Sequence, residues 1–94
     1  MTLPFSQNQK DIYNVQVEIN DGGWIPAAAN FYTKKEDAIE AMCRIVASDI
    51  MFNTDKISNY HCPKGFRELS MPVVSYTKDG KFYEYRVFSH VLNC

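Results

Sequence analysis

At 94 residues, the chain has room for one domain and a thin hydrophobic core, burying roughly 60% or a little more of its unfolded surface. Apolar residues at 46% and charged residues at 22% exclude intrinsic disorder. A net charge of −1 argues against a broadly phosphate-binding surface and equally against a strongly acidic nucleic-acid mimic, and leaves room for a local charged patch.

Aromatic residues reach 14%, so six Tyr and six Phe must carry much of the core and some must reach the surface. No apolar run has the length of a membrane span. The opening "MTLPFSQNQKD" lacks a charged segment followed by an apolar one, and three cysteines make an odd number. Together these predict a cytoplasmic protein with reduced thiols.

Residues 1–10 read as an N-terminal arm with Phe5 as its one large anchor. In "IYNVQVEIN", Tyr13, Val15, Val17 and Ile19 alternate with Asn14, Gln16, Glu18 and Asn20, the pattern of a half-buried strand. Asp21-Gly22-Gly23 accepts positive φ and predicts a hairpin turn. The return segment 24–31 contains Pro26, which cannot donate to a ladder and predicts an edge strand.

"TKKEDAIEAMCRIVASDIMF" predicts the one helix. Thr33 and Glu36 have capping-box spacing, and Glu36 and Asp37 suit the positive end of the helix dipole. Ala38, Met42, Ile45, Val46, Asp49 and Ile50 recur at helical spacing, and Asp49 is the one member that does not fit a buried stripe. Residues 53–72 read as a long loop, with room for a helical turn near 55–60 and a tight turn at Pro63-Lys64-Gly65. "MPVVSYTKDGKFYEYRVFSHV" predicts a hairpin about Asp79-Gly80, pairing Thr77 with Phe82, Tyr76 with Tyr83 and Val74 with Tyr85. The expected fold is a single α+β domain: an antiparallel four-stranded sheet in ββαββ order with the helix on one face.

"NYHCPKGF" raises the question of chemistry. A zinc site would draw on His61, Cys62, His90 and Cys94, with Cys43 in reserve, but no Cys-x-x-Cys-like pair is present. A thiol enzyme would need Cys62 beside His61 or His90, with Asp55 or Glu68 to orient the base, and no catalytic signature surrounds Cys62. The glycines at 22–23 and 80 open no helix, so they are turn residues and not phosphate cradles. No cofactor, metal or catalytic residue is expected. A stacking platform for single-stranded nucleic acid needs aromatics on the open face, and the expected register leaves only Phe82 and Phe88 there.

Long loops and exposed aromatic or arginine residues remain as contact candidates. Tyr60, Phe66 and Arg67 in the loop, with Trp24, Phe82 and Arg86 on the sheet, are the expected binding residues. In size, element order and Asn-, Lys- and Ile-bearing composition, the chain resembles small phage and mobile-element accessory proteins. Among these are the compact α+β inhibitors of bacterial defence, such as anti-CRISPR proteins. The resemblance implies a stand-alone cytoplasmic protein that blocks a host nucleoprotein complex by occupying a surface. A small nucleic-acid-binding or regulatory domain is the first alternative, and a Cys- or Zn-dependent enzyme the second.

Overall fold

The protein was analysed as a computed structural model that describes residues 9–93, with side chains over 11–91. Its strands are β1 (Gln9–Ile19), β2 (Trp24–Pro26), β3 (Ile57–His61), β4 (Val73–Lys78) and β5 (Lys81–Asn93), and its helix is α1 (Lys35–Phe52). All neighbouring strands pair antiparallel in the order β2-β1-β5-β4-β3. The fold is α+β, as expected, but the sheet has five strands and not four.

The additional strand, β3, lies inside the segment read as a loop. A 3₁₀ turn occupies Thr54–Lys56, and Ile57–His61 then pairs with β4 as an edge. Only Ile57 of β3 is partly buried. An edge strand that hides one side chain leaves no alternation to read, and backbone pairing alone defines it. Two further expectations are corrected. The return strand after the first hairpin stops at Pro26; beyond it the Ala27 N–H donates to the Val15 carbonyl at 2.9 Å, and Tyr32 exchanges backbone hydrogen bonds of 2.8 Å with Tyr13. The helix starts one residue later than the capping box implied: Lys34 is the N-cap and makes no side-chain capping bond. Of the arm read over residues 1–10, Gln9 and Lys10 belong to β1, and 1–8 lie outside the described residues.

Both hairpins use residues that tolerate left-handed backbone. Asn20 and Asp21 (φ 52° and 57°) turn the first, and Asp79 and Gly80 (φ 54° and 78°) turn the second. The second hairpin has the expected register throughout. One face of the sheet therefore presents Val15, Val17, Val74, Tyr76, Tyr85 and Val87, all buried. Against it, α1 lays Ala38, Ile39, Ala41, Met42 and Val46. Each fully buried side chain of this size contributes about 1.5–3 kcal/mol, so this single layer is the main source of stability. Among the described residues, no helix is long and apolar enough to cross a membrane.

Asp49 accounts for its own place in the stripe. Its side chain is only 18% exposed. Tyr76 donates its hydroxyl to the carboxylate, Lys78 Nζ lies 2.9 and 3.1 Å from the two oxygens, and Asn53 Nδ2 donates to Oδ1 at 3.0 Å. An acidic residue near a helix C-terminus opposes the dipole, and the last turn of α1 has no basic residue of its own. Lys78, reaching in from β4, supplies that cation and also sits 4.7 Å over the Tyr83 ring. Tyr76 stacks on Tyr83 and Tyr85 beneath, so the network is tied into the core.

Burial pushes the Asp49 carboxyl upward, but the hydrogen bonds from Tyr76, Lys78 and Asn53 and the Lys78 charge outweigh it, holding it below its ordinary 3.8. Burial and the Asp49 hydrogen bond push the Tyr76 hydroxyl upward, keeping it a donor. Replacing Asp49 by Ala leaves Tyr76 and Lys78 without their acceptor, and is expected to cost about 2–3 kcal/mol in a denaturant titration. A depressed folded-state value makes this contribution present above the unfolded value of about 4 and lost as pH falls through the folded one. Asp49→Asn is therefore expected to flatten the acid limb of the stability–pH curve, measured by thermal melts between about pH 2 and 6.

Candidate functional site

A groove of about 500 Å³ opens beside the core, between one edge of α1 and the chain that leaves β3. Its helical wall is Cys43, Val46, Ala47, Ile50 and Met51, positions spaced by three, four, seven and eight. Val74 of β4 contributes to the lining, and Tyr60, Cys62, Phe66 and Arg67 form the facing wall. The volume falls within the ordinary range for a binding cleft.

Local backbone chemistry delivers the facing wall. The β3–β4 register shifts between Ser58 and His61, with Asn59 in left-handed conformation (φ 54°). Such a bulge changes which face the following residues use. His61 pairs with Ser75, on the side of the sheet away from the helix, while Tyr60 and Cys62 line the groove. The Pro63-Lys64-Gly65 turn forms as expected, closed by the Phe66 N–H donating to the Pro63 carbonyl at 3.1 Å. Gly65 takes φ 73°, and a 3₁₀ turn at Phe66–Glu68 then sets Phe66 and Arg67 side by side.

The groove is electrostatically simple. Burial is the largest effect on the Cys43 thiol and pushes it up, with Glu40 and Cys62 adding to this against the opposing Arg67 charge. Burial and the neighbouring Cys62 likewise push the Tyr60 hydroxyl up. Both groups are therefore neutral at pH 7. The one charged side chain in the lining is Arg67, whose guanidinium lies 5.2 Å over the Phe66 ring and 3.8 Å from the Glu40 carboxylate. That ion pair is half-exposed and contributes at most about 1 kcal/mol, so the guanidinium can readily exchange it for another partner.

Five of the six residues expected to bind fall into two groups on opposite faces. Tyr60, Phe66 and Arg67 come together in the groove. Trp24 and Arg86 meet on the face without a helix: the Arg86 guanidinium lies 5.5 Å over the Trp24 ring, and Trp24 meets Phe88 edge-on at 5.1 Å. Arg86 also donates to the Glu84 carboxylate and to Met71 Sδ. Its contacts are thus satisfied within the protein. Phe82 stands apart from both groups, exposed beside the second hairpin turn, its N–H donating to Asn20 Oδ1 at 2.8 Å.

Of the described residues weighed for metal or thiol chemistry, Cys43 and Cys62 share the groove, and the histidines stand apart from them. His61 and Cys62 are neighbours with different surroundings, and His90 Nε2 lies 2.9 Å from Asn14 Oδ1 on the outward face. Cys94 lies outside the described residues. Among the described residues, no three His, Cys, Asp or Glu side chains are grouped as metal ligands would be. Lys35 Nζ donates to the Leu69 carbonyl and Lys78 pairs with Asp49, so these two lysines have separate engagements.

The helical wall was missing from the expected site. Its signal was available: Cys43, Ala47 and Met51 lie at spacing four, one step off the core stripe, and Met51 and Phe52 end the helix with apolar side chains that no strand covers. No protein-family model, no curated protein and no solved structure matches this chain.

Proposed function

We propose that this protein acts by binding another protein, without chemistry of its own, and that the groove between α1 and the Tyr60–Arg67 segment holds the partner. The observation that carries this reading is the character of the groove: open, apolar, lined by the neutral Cys43 thiol and Tyr60 phenol, with a single arginine. Met51 and Tyr60 contribute to it while 69% and 53% exposed, and Phe52 follows Met51 in the open. Clustered apolar exposure of this kind marks an interaction surface, and tyrosine, phenylalanine, methionine and arginine are the residues enriched at interface centres. A buried aliphatic or aromatic side chain of the partner would fill the apolar floor, with an acidic group meeting Arg67 at the edge.

The resemblance noted above supplies a biological setting for such a module. In it, the protein is an inhibitor of the anti-CRISPR kind in a host cytoplasm, occluding a surface of a defence nucleoprotein complex. The gathering of Tyr60, Phe66 and Arg67 in one groove supports the binding part of this proposal, and the kind of target is what the resemblance implies.

The test is recovery of partners by tagged protein from bacterial lysate, with and without nuclease, followed by affinity measurement on the recovered partner. A protein partner that survives nuclease is expected. Tyr60→Ala, Phe66→Ala and Arg67→Ala should each weaken it by about tenfold to a hundredfold, the range of interface anchors, while circular dichroism shows the fold retained. Trp24→Ala, on the opposite face, should leave affinity unchanged. Recovery abolished by nuclease, or silence of all three groove variants, would falsify the proposal.

A further inference from the structure

The longest pairing in the protein, β1 with β5, continues past the rest of the sheet. The β4–β5 ladder ends at Val73↔Arg86, and the last bond on that side is Val87 N–H to the Pro72 carbonyl at 3.0 Å. From Phe88 to Asn93, β5 is paired with β1 alone, forming a two-stranded extension of the sheet. The Asn20 N–H bonds to the Phe82 carbonyl at 2.8 Å, so even-numbered residues of β5 direct their backbone groups toward β1. Odd-numbered ones direct theirs the other way, as Val87 does. The backbone groups of Ser89, Val91 and Asn93 therefore face a side on which no strand lies among the described residues.

The remaining edges of the sheet all carry devices that discourage pairing. β2 is three residues long and ends in Pro26. β3 is interrupted by its register shift and the left-handed Asn59. The free end of β1 contains Lys10 and Asp11. The open side of β5 has none of these: Phe88-Ser89-His90-Val91 has no proline, bulge, lysine or carboxylate, and Val91 is 63% exposed.

We propose that this edge pairs antiparallel with the same edge of a second copy of the chain, joining two five-stranded sheets across a twofold axis. An edge strand meeting itself antiparallel is self-complementary, the condition for a closed dimer. Placing Val91 opposite Val91 of the second copy puts Ser89 opposite Asn93. This register uses only the segment that lies beyond the Val87–Pro72 bond, and it covers the exposed valine on both copies. The contact is smaller than the ~1,200–2,000 Å² of stable complexes, which predicts a weak dimer with Kd on the order of 100 µM. The inference is independent of the groove, which lies against β3 and β4.

Sedimentation equilibrium up to about 1 mM, together with amide hydrogen exchange at low and high concentration, tests it. Exchange at Ser89 and Val91 should slow with concentration, while Asp11, on the opposite edge of the same ribbon, should not change. Val91→Pro removes an N–H that bonds nothing among the described residues, and is expected to raise the dimer Kd more than about tenfold with the fold intact. Should that variant fail to fold, Val91→Lys, which places like charges opposite each other across the axis, gives the same readout. A chain that stays monomeric at the highest concentration overturns the proposal. So does a dimer unaffected by the folded variants, or one whose protection appears along Ile57–His61 instead.

Discussion

Asp49 fixes how the helix lies on the sheet. The stripe of Ala38, Met42 and Val46 would pack against valines and tyrosines at several rotations of α1, because apolar contact is not directional. The carboxylate is directional. It must meet the Tyr76 hydroxyl and the Lys78 ammonium together, and both come from one strand. Breaking one member strips the others of a hydrogen-bond partner at a part-buried site, so the network penalises rotation more strongly than its net contribution to stability would suggest.

That orientation decides what else α1 presents. With Asp49 directed to β4, the edge bearing Cys43, Ala47 and Met51 faces the chain leaving β3 and becomes a wall of the groove. Within "NYHCPKGF", the two residues that suggested chemistry receive different environments from neighbouring positions. His61 is exposed opposite Ser75, and Cys62 is half-buried in an apolar wall. The proline and glycine close the turn that places Phe66 and Arg67. The stretch acts as a shaped segment of a contact surface, built jointly with a helix that is remote in sequence.

Elements that bury one face were legible. Val15 and Val17 alternate with polar residues because their strand is covered on one side, and the Asp79-Gly80 turn together with the alternation on both arms fixes the register of β4 on β5. β3 was not legible because it is held by backbone bonds and buries almost nothing. Trp24 and Arg86 read as exposed anchors because each is interface-prone by type. Their mutual stacking depends on strands β2, β1 and β5 lying side by side, which no local pattern encodes. Half of the groove was visible as a run of aromatic and basic residues, and the helical half was not, because apolar residues beside a core stripe look like more core.

The pairing of β1 with β5 joins Gln9 and Asn93, the two ends of the described chain, and it sits at the centre of the sheet. Without β5, the first hairpin has no connection to the β3–β4 pair, and the helix has two fragments of a floor in place of one. During synthesis, the floor beneath α1 therefore stays incomplete until β5 has been made. The architecture places its longest-range closure at the centre of the sheet, and non-local pairing of this kind slows folding.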